Sequence, residues 1–474
     1  MINIKHPASL RDPAGYLVNC GNRLIRVIRP EFVNEYQMLL SSPWLLEQCK
    51  VGTIAAFRIL ENYQATRLLG SKAANCLCLE HEVICFPSYP TEWPLEMLCA
   101  AAELTLKLCL QSLQNGVGLK DATPFNVLFL GSKPIFVDLL SFETRFPNNP
   151  IWLAYGQFVR SFLLPVLLDA CIGISCGSTF LKRRDGIEPE DVYRFLSPLA
   201  RFTPPFIGNV TIPYILSTLA ERPSSKIYIP KSISNPDQAT FILQSLFSRL
   251  LRTIKSSSLR KHRSNVWTTY TESCTYTETD IAHKMDFVMQ FLDEFRPARV
   301  LDVGCNTGTY SFLAVKYGAE VVATDLDPEV VGNLWQRANK EQADILPLVV
   351  NLANPTPAQG WRNCETLSFL ERAEGYFDAV LMLAVVHHLF VTDQIPLEEI
   401  ITQASRLTIK WLIIEYVGPD DPQFIRLLRG REGLFSWFGR EVFEKELGKH
   451  FNIIRQDEIK GNGRWLYLAR KIID

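Results

Sequence analysis

The sequence predicts a two-part α/β protein of 474 residues. In residues 265–474, apolar strand patterns alternate with helical patterns, which is typical of a mostly parallel sheet. A glycine turn, Gly304-Cys305-Asn306-Thr307-Gly308, joins the first of these strands to a helix. The earlier residues mix helical and strand patterns without a detectable repeat. We therefore expect an α/β fold class, with a mostly parallel C-terminal sheet and an α+β N-terminal domain.

Composition limits the classes of partner. The formal net charge is −1, so no overall field attracts nucleic acid or an anionic membrane. Twelve cysteines without metal spacing argue against a metal site and suit a reducing compartment. The N-terminus lacks a signal-peptide pattern, and the most apolar run, 162–174, is too short to span a bilayer. We expect a cytoplasmic protein with no nucleic-acid partner and no membrane span; the oligomeric state is not indicated.

A change in composition between 225 and 265 marks the boundary between the two parts. Ser256, Ser257 and Ser258 lie here among basic residues, including Arg249 and Arg252. This segment is interpreted as a helical, basic linker, with a basic patch for an anionic acceptor as the alternative. The predicted domains are 1–225, 226–264 and 265–474.

Three elements stand out in the N-terminal part. Residues 13–30 predict a hairpin that turns at Gly21-Asn22. Residues 95–115 predict a helix, because their apolar residues recur with helical period and Asn115-Gly116 is a stop signal. Residues 151–180 are apolar and are predicted to be helical.

The C-terminal part contains seven strand patterns and five helical patterns. The predicted strands are 299–304, 320–325, 346–352, 377–383, 411–417, 451–458 and 464–470. The predicted helices are 281–295, 309–317, 328–340, 396–407 and 440–449. The turn-type sequence 460–463 predicts that the last two strands form an antiparallel hairpin. Trp267, Tyr270 and Tyr276, which precede the first helix, are candidates to cover a ligand.

The glycine turn lies where ligands bind to open α/β sheets, beyond the carboxyl end of a strand. Its G-x-x-x-G spacing differs from the dinucleotide fingerprint, G-x-G-x-x-G. Asp302 precedes the turn, and a carboxylate there suits a ligand that carries an ammonium group. Asp325 closes the next strand, where an acid can hold both hydroxyls of a ribose.

Residues 301–311, LDVGCNTGTYS, resemble motif I of the class I S-adenosylmethionine-dependent methyltransferases. The resemblance implies a Rossmann-like, seven-stranded sheet and S-adenosyl-L-methionine as cofactor. It implies that Asp302 faces the methionine ammonium and Asp325 the ribose, and that Leu326 lies beside the adenine. The residues that it places at the cofactor are Asp302, Gly304, Asn306, Gly308, Asp325, Leu326, Asn351, Leu383 and Ala384. The family usually has an acid at the end of the third strand, where this chain offers only Asn351 and Asn354.

The fourth predicted strand leads into Leu383-Ala384-Val385-Val386-His387-His388, which resembles the family's motif IV region. His387 and His388 are the candidate catalytic residues, since a histidine of near-neutral pKa can remove a proton from a hydroxyl acceptor. The alternative is that one histidine caps a helix and the other is packed. Glu415, Tyr416, Asp420 and Asp421, after the fifth strand, are candidates for the acceptor side.

A second constellation lies in the N-terminal part. Asp121, Asn126 and Asp138 have the spacing of the catalytic loop and metal-binding acid of protein-kinase-like phosphotransferases. The resemblance implies that Asp121 would be catalytic and that Asn126 and Asp138 would hold magnesium of Mg-ATP. Leu119 and Lys120 replace the family's histidine and arginine, and Arg26 or Arg29 stands where a strand lysine is expected. The alternative is a loop stabilised by Asx turns.

The whole layout resembles a group of bacterial two-part methyltransferases, some with nodulation-type functions. The shared segments are Asp12 to Gly15, the K-D-A-x-x-x-N segment and Val137 to Glu143. We expect methyl transfer to a small-molecule or glycan acceptor, with a weak preference for O-methylation. The alternatives are a bifunctional kinase-methyltransferase and a non-catalytic cofactor-binding module.

Overall fold

The computed structural model describes residues 4–219, 232–258, 278–459 and 463–472. Its contacts divide the chain into two compact units. The first unit takes the described residues of Met1–Leu130, Pro134–His262 and Ala358–Thr366, and the second takes the rest. The aromatic residues Trp267, Tyr270 and Tyr276, and most of the turn 460–463, lie outside the described residues. The predicted domain limits at 225 and 264 stay predictions.

The first unit contains a five-stranded antiparallel sheet and two smaller sheets. Its strands are β1 (Ile4–Lys5), β2 (Gly15–Cys20), β3 (Arg23–Ile28), β4 (Phe57–Ile59), β5 (Leu77–His81), β6 (Val117–Leu119), β7 (Val127–Leu130), β8 (Lys133–Phe136) and β9 (Phe142–Thr144). The order in the large sheet is β1-β2-β3-β5-β4, while β6 pairs with β9 and β7 with β8. The β2–β3 pair confirms the predicted hairpin.

Helices make up most of the remainder of the first unit. They are α1 (Val33–Leu40), α2 (Pro43–Val51), α3 (Asn62–Leu69), α4 (Leu95–Leu113), α5 (Tyr155–Phe158), α6 (Leu164–Ile172), α7 (Cys176–Lys182), α8 (Pro189–Phe195), α9 (Pro204–Phe206), α10 (Ile212–Leu219) and α11 (Pro236–Ser258). Helix α4 confirms the helix predicted at 95–115. The predicted basic linker contains α11, which packs against α4 and α6 within this unit.

The apolar segment 151–180, predicted to be helical, contains α5, α6 and most of α7. A π-helical turn, Val159–Leu163, joins α5 to α6, so the helical run extends from Tyr155 to Ile172. It is the one described helix long and apolar enough to cross a membrane, and 61% of it is buried inside the structure. A core helix has the same properties, so this segment is weak grounds for a membrane span.

The second unit is built on a seven-stranded, mostly parallel sheet. Its strands are β10 (Arg299–Val303), β11 (Glu320–Asp325), β12 (Ile345–Val349), β13 (Phe377–Met382), β14 (Thr408–Val417), β15 (Phe451–Ile459) and β16 (Arg464–Lys471). The order is β12-β11-β10-β13-β14-β16-β15, with β16 antiparallel to both neighbours. All seven predicted strands are confirmed. The chain leaves β10 in one direction and later returns to its other side, which makes β10/β13 the switch point where ligands bind.

Helices cover this sheet. They are α12 (Glu278–Phe295), α13 (Thr309–Lys316), α14 (Pro328–Glu341), α15 (Phe369–Ala373), α16 (Leu397–Leu407), α17 (Pro422–Leu428), α18 (Glu432–Phe435) and α19 (Arg440–Leu447). The five predicted helices are α12, α13, α14, α16 and α19. The prediction missed α15, α17 and α18, because helices of four to seven residues are too short to show an apolar period.

Candidate functional site

A cavity of about 300 Å³ opens at the carboxyl ends of β10, β11 and β13. Parallel strands end at the same edge of a sheet, so residues far apart in the chain meet here. The cavity is lined by eight of the nine residues expected at the cofactor: Asp302, Gly304, Asn306, Asp325, Leu326, Asn351, Leu383 and Ala384. The volume is within the range of small-molecule sites.

The turn after β10 has a backbone that only certain residues tolerate. Gly304 has a φ of +69°, and a Cβ on it would lie 2.4 Å from Cγ2 of Val385. Asn306 has a φ of +46°, in the left-handed region where asparagine is enriched. The Asn306 N–H donates a 3.0 Å hydrogen bond to Oδ2 of Asp325. The turn is therefore shaped by the glycine and held against the end of β11.

Gly308, the ninth predicted residue, does not line the cavity. It has a φ of +80°, and a Cβ on it would lie 2.3 Å from Cδ1 of Leu334 on α14. We expected this glycine to make room for a ligand. The structure shows that the missing side chain makes room for α14; a contact between Gly308 and the cofactor stays a prediction.

Two carboxylates lie in the cavity wall. Asp302 is buried, and its Oδ2 accepts a 2.6 Å hydrogen bond from the Ser311 hydroxyl. Burial, with a smaller contribution from the charge of Asp325, raises the pKa of Asp302 to about 6. Burial also raises the pKa of Asp325. Both oxygens of Asp325 are oriented by backbone N–H groups, those of Asn306 and Asp327.

The residues that follow the third strand, β12, offer a ligand weaker hydrogen-bond acceptors than an acid would. Asn351 lines the cavity, but its Oδ1 accepts a 2.9 Å hydrogen bond from the Ala353 N–H, which makes an Asx turn. Asn354 does not line the cavity. Leu352 does, and it adds an apolar contact that the sequence did not indicate. An amide already engaged in a turn accepts a further hydrogen bond less well than an acid would.

The segment after β13 carries backbone strain at the cavity. Ala384 has a φ of +55°, a conformation that an alanine rarely adopts. Leu383 and Ala384 both line the cavity, as predicted. Strained residues persist where surrounding structure holds them, and they are concentrated at functional sites.

The two candidate histidines lie in different environments. His388 lines the cavity, whereas His387 does not and is 2% exposed. Neither ring nitrogen of His387 has a hydrogen-bond partner among the described residues. Burial, and then the charge of Arg464, lower the pKa of His388 to about 4, so it is neutral at pH 7. The geometry places His388, and not His387, where it can meet a ligand.

A buried ionic network lies behind this part of the cavity. Lys284 of α12 lines the cavity and donates a 2.7 Å hydrogen bond to Glu415. Arg464 donates to Glu415 and, with two bonds of 2.7 and 3.0 Å, to Asp421. Sequence reasoning named Glu415 and Asp421 but missed both cations. The sequence around Lys284 on α12 gave no signal of its carboxylate partner, which is 131 positions away.

The N-terminal constellation is assembled in the first unit. Asn126 donates a 2.9 Å hydrogen bond to the Ser141 hydroxyl, which donates a 2.5 Å bond to Oδ2 of Asp138. Asn126 also donates to the backbone oxygen of Asp121. Burial, and then the charge of Asp138, raise the pKa of Asp121. The three predicted residues are therefore neighbours: Asn126 bonds to Asp121 directly and to Asp138 through Ser141.

Arg26 of β3 occupies the position where a strand lysine was expected. Its NH1 donates a 2.9 Å hydrogen bond to Oδ1 of Asp138 and lies 3.6 Å from Asp12. Its Nε donates to His81, whose pKa burial lowers to about 3. Both oxygens of Asp138 are thus engaged, one by Arg26 and the other by Ser141.

A family match supports the methyltransferase assignment of the second unit. A family described as "Methyltransferase domain" matches residues 301–410, which include the glycine turn and both histidines. Among solved structures, the N-methyltransferase NodS from Bradyrhizobium japonicum WM9 aligns at 15% identity and a TM-score of 0.31, over 41% of this chain and 97% of its own. The magnesium protoporphyrin IX methyltransferase from Synechocystis PCC 6803 with bound SAH aligns at 20% and 0.31, over 48% and 95%.

One relative matches nearly the whole chain. The nodulation protein NoeA of Rhizobium meliloti (strain 1021) is 30% identical over 463 residues, which is 97% of this chain and 94% of that protein. The chain belongs to the family of the nodulation protein NoeA, and its C-terminal half is an S-adenosylmethionine-dependent methyltransferase of class I.

Proposed function

We propose that the protein transfers a methyl group from S-adenosylmethionine to a hydroxyl of a glycan or small hydroxylated molecule. The observation that carries this proposal is the position of neutral His388 in the wall that also contains Leu383 and Ala384. A neutral imidazole accepts a proton, and a hydroxyl is the acceptor that must lose one. The N-terminal unit would recognise the acceptor.

The residues in the cavity fit the cofactor. Asp325, with its oxygens oriented by two backbone N–H groups, suits the ribose hydroxyls. Asp302 suits the ammonium group of the methionine, directly or through water. Gly304 leaves the space that a Cβ would fill, and Leu326 would lie beside the adenine. When bound, the cofactor supplies an electrophilic methyl group on its sulfonium.

The work of the protein in such a transfer is mostly orientation. Displacement at the methyl carbon requires the acceptor oxygen to be held in line, and holding two reactants together lowers the barrier substantially. The strained turn at Ala384 fixes the wall against which the donor would lie. His388 would receive the hydroxyl proton at a ring nitrogen, and burial keeps it uncharged for that task.

A screen of candidate acceptors by release of S-adenosylhomocysteine tests this proposal. We expect His388→Gln to lower kcat by roughly 100-fold, as is usual for a general base. The matched control is His450→Gln, whose imidazole meets Thr402 away from the cavity. Because the pKa of His388 is about 4, activity at low acceptor and saturating S-adenosylmethionine should not fall as pH drops through 6.5. A full rate in His388→Gln, or acceptance only by amines, would contradict the proposal.

Mg-ATP-dependent phosphotransfer is the second candidate, and one match gives reason to test it. The bifunctional kinase-methyltransferase WbdD aligns at 19% identity and a TM-score of 0.29, over 40% of this chain and 38% of its own. The assembled Asp121, Asn126 and Asp138 favour phosphotransfer, but Arg26 and Ser141 already engage both oxygens of Asp138. Mg-dependent ATP binding that Asp138→Ala abolishes and Asp325→Ala preserves would support it. Absence of any nucleotide binding would reject it.

The third alternative, a non-catalytic module, is not favoured because the family match covers a methyltransferase domain. Cytoplasmic localisation stays a prediction.

A further inference from the structure

A second cavity, of about 770 Å³, lies within the first unit. One wall is a stripe of α11 formed by Arg249, Thr253, Ser256 and Ser257, which are spaced for one face of a helix. This stripe belongs to the serine-rich basic segment that the sequence singled out and that methyl transfer leaves unexplained. The adjoining side of α11 is buried, with Leu243 and Phe247 at 3% and 2% exposure.

A second, irregular segment also lines the cavity. It comprises Thr203, the short helix α9 and the start of a π-helical turn, Ile207–Thr211. π-Helical turns are rare and frequently occur at functional sites. Buried Leu196 and Phe206 supply apolar surface. The lining of this cleft therefore combines apolar surface with polar groups from α11 and from Thr203 and Asn209.

The charge in this cleft has one sign. Among the described residues that line it, Arg249 is the one charged side chain, and none is an aspartate or a glutamate. Arg249 is exposed and makes no ion pair with any residue in the described part of the chain. A guanidinium in such a position can donate to an anionic group of a ligand.

The neutral polar groups in the cleft can accept but have little left to donate. The hydroxyls of Thr253, Ser256 and Ser257 each donate to a backbone oxygen of α11, at 3.1, 2.9 and 2.9 Å. The Thr203 hydroxyl donates to Ala200 in the same way, and the amide of Asn209 donates to Pro205. A hydroxyl whose proton is used still has lone pairs, so these oxygens face a ligand as acceptors.

Acceptor oxygens and a single cation together define the ligand. A bare anion has no donors for the hydroxyl oxygens, and a neutral polyol has no charge for Arg249. We propose that this cleft binds a polyhydroxylated small molecule that carries one anionic group, such as a sugar phosphate or a sugar acid. The proposal goes beyond the proposed function: this cleft shares no described lining residue with the cofactor cavity, and binding of a sugar anion there is independent of methyl transfer.

Titration calorimetry on the full chain tests the proposal with four probes: glucose 6-phosphate, glucuronate, glucose and sulfate. We expect millimolar binding of at least one sugar anion, and the comparison of the first two probes separates phosphate from carboxylate. Arg249→Met should weaken that binding by about tenfold, the effect of losing one charge-assisted hydrogen bond. The matched control is Arg252→Met, which removes an exposed arginine of the same helix that does not line the cleft.

Thr253→Val provides an independent check, because it removes an acceptor and keeps the charge. It should weaken binding of the sugar anion and leave binding of sulfate unchanged. Equal effects of Arg249→Met and Arg252→Met, sulfate bound as tightly as the sugar anions, or no binding of either sugar anion would overturn the proposal. S-Adenosylhomocysteine is titrated into the same samples: its failure to bind would reject the methyltransferase assignment, whereas its binding without sugar binding rejects only the cleft.

Discussion

At the scale of single residues, the carboxylates of the cofactor cavity illustrate how burial changes what an acid can do. Asp325 is held by two backbone N–H groups, whereas Asp302 is buried beside Ser311 with its pKa raised to about 6. We therefore propose different tasks for the two acids. An oriented carboxylate suits a pair of hydroxyls, and a buried one gains most from a positive charge.

Replacing Asp325 should weaken cofactor binding. Asp325→Ala removes the acceptor for two hydroxyls, so we expect a loss of ~1–3 kcal/mol in the binding free energy of S-adenosylhomocysteine. Calorimetry measures it, with Glu320→Ala as the control because Glu320 is exposed at the other end of β11. An unchanged affinity would show that the ribose lies elsewhere.

Asp302 should make cofactor affinity depend on pH. Since its pKa is about 6 without ligand, the carboxylate is mostly charged at pH 7 and becomes protonated as pH falls through 6. A cationic ligand prefers the charged form, so affinity for S-adenosylmethionine should be lower at pH 5 than at pH 7. Binding isotherms at several pH values test this. The Asp302→Asn variant should bind S-adenosylmethionine weakly at every pH. If its affinity depended on pH as that of the wild type does, the assignment of Asp302 to the ammonium group would be refuted.

At the scale of elements, glycines place the helices that follow the strands. Gly308 caps α13 in the left-handed conformation and lies against Leu334 of α14. Helices α13 and α14 therefore pack closer together than a larger residue at position 308 would allow. The geometry of the cavity thus depends on a contact outside it.

Gly308→Ala should destabilise the protein more than Gly318→Ala does. Both glycines have positive φ, +80° and +91°, but a Cβ at Gly318 meets nothing within 4 Å. We expect about 1–2 kcal/mol for Gly318→Ala from the backbone conformation, and roughly 2–4 kcal/mol for Gly308→Ala, which adds overpacking. Chemical denaturation measures both. In the double variant Gly308→Ala/Leu334→Ala, the second change should lower the free energy of unfolding by less than Leu334→Ala does alone. Simple additivity of the two losses would mean that the two side chains do not collide.

At the scale of the whole molecule, the path of the chain is more complex than two consecutive domains. The segment Ala358–Thr366 follows β12 in sequence but belongs to the first unit. There the buried Glu365 accepts hydrogen bonds from Arg11 at 2.9 and 3.0 Å and lies 3.2 Å from Arg184. Residues from three separate stretches of sequence therefore complete one unit.

Glu365→Gln should destabilise the protein by about 1–3 kcal/mol near neutral pH, because it removes the charge that both arginines face. Burial opposes ionisation of Glu365, but the Trp361 N–H and the two arginines outweigh it and lower its pKa. A carboxyl group whose pKa is lower in the folded than in the unfolded state stabilises the protein at pH values above the ordinary carboxyl pKa. This stabilisation is lost as pH falls through the pKa of the folded state. The difference between wild type and variant should therefore shrink in acid. Thermal unfolding across pH measures it, and a constant difference would mean that charge plays no part.

Much of the second unit could be predicted from sequence, because its signals are local. Strands β10 to β14 are apolar runs, the turn 460–463 indicates a hairpin after them, and the turn from Gly304 to Gly308 has a recognisable spacing. The buried cations Lys284 and Arg464 could not be predicted, since their partners are distant in sequence. The same holds for His387 and His388, which look equivalent in the chain and differ only in which one faces the cavity.

The sequence by itself determined the class of the second unit and the identity of its cofactor, since alternating periodicity and the motif around Asp302 and Asp325 are properties of contiguous residues. Only the tertiary structure decided that Arg26 engages Asp138, that Gly308 serves packing, and that a serine-rich segment becomes one wall of a cleft. Those outcomes depend on which distant side chains share a surface. Burial, charge and steric fit act between neighbours in space, and the fold decides which residues are neighbours.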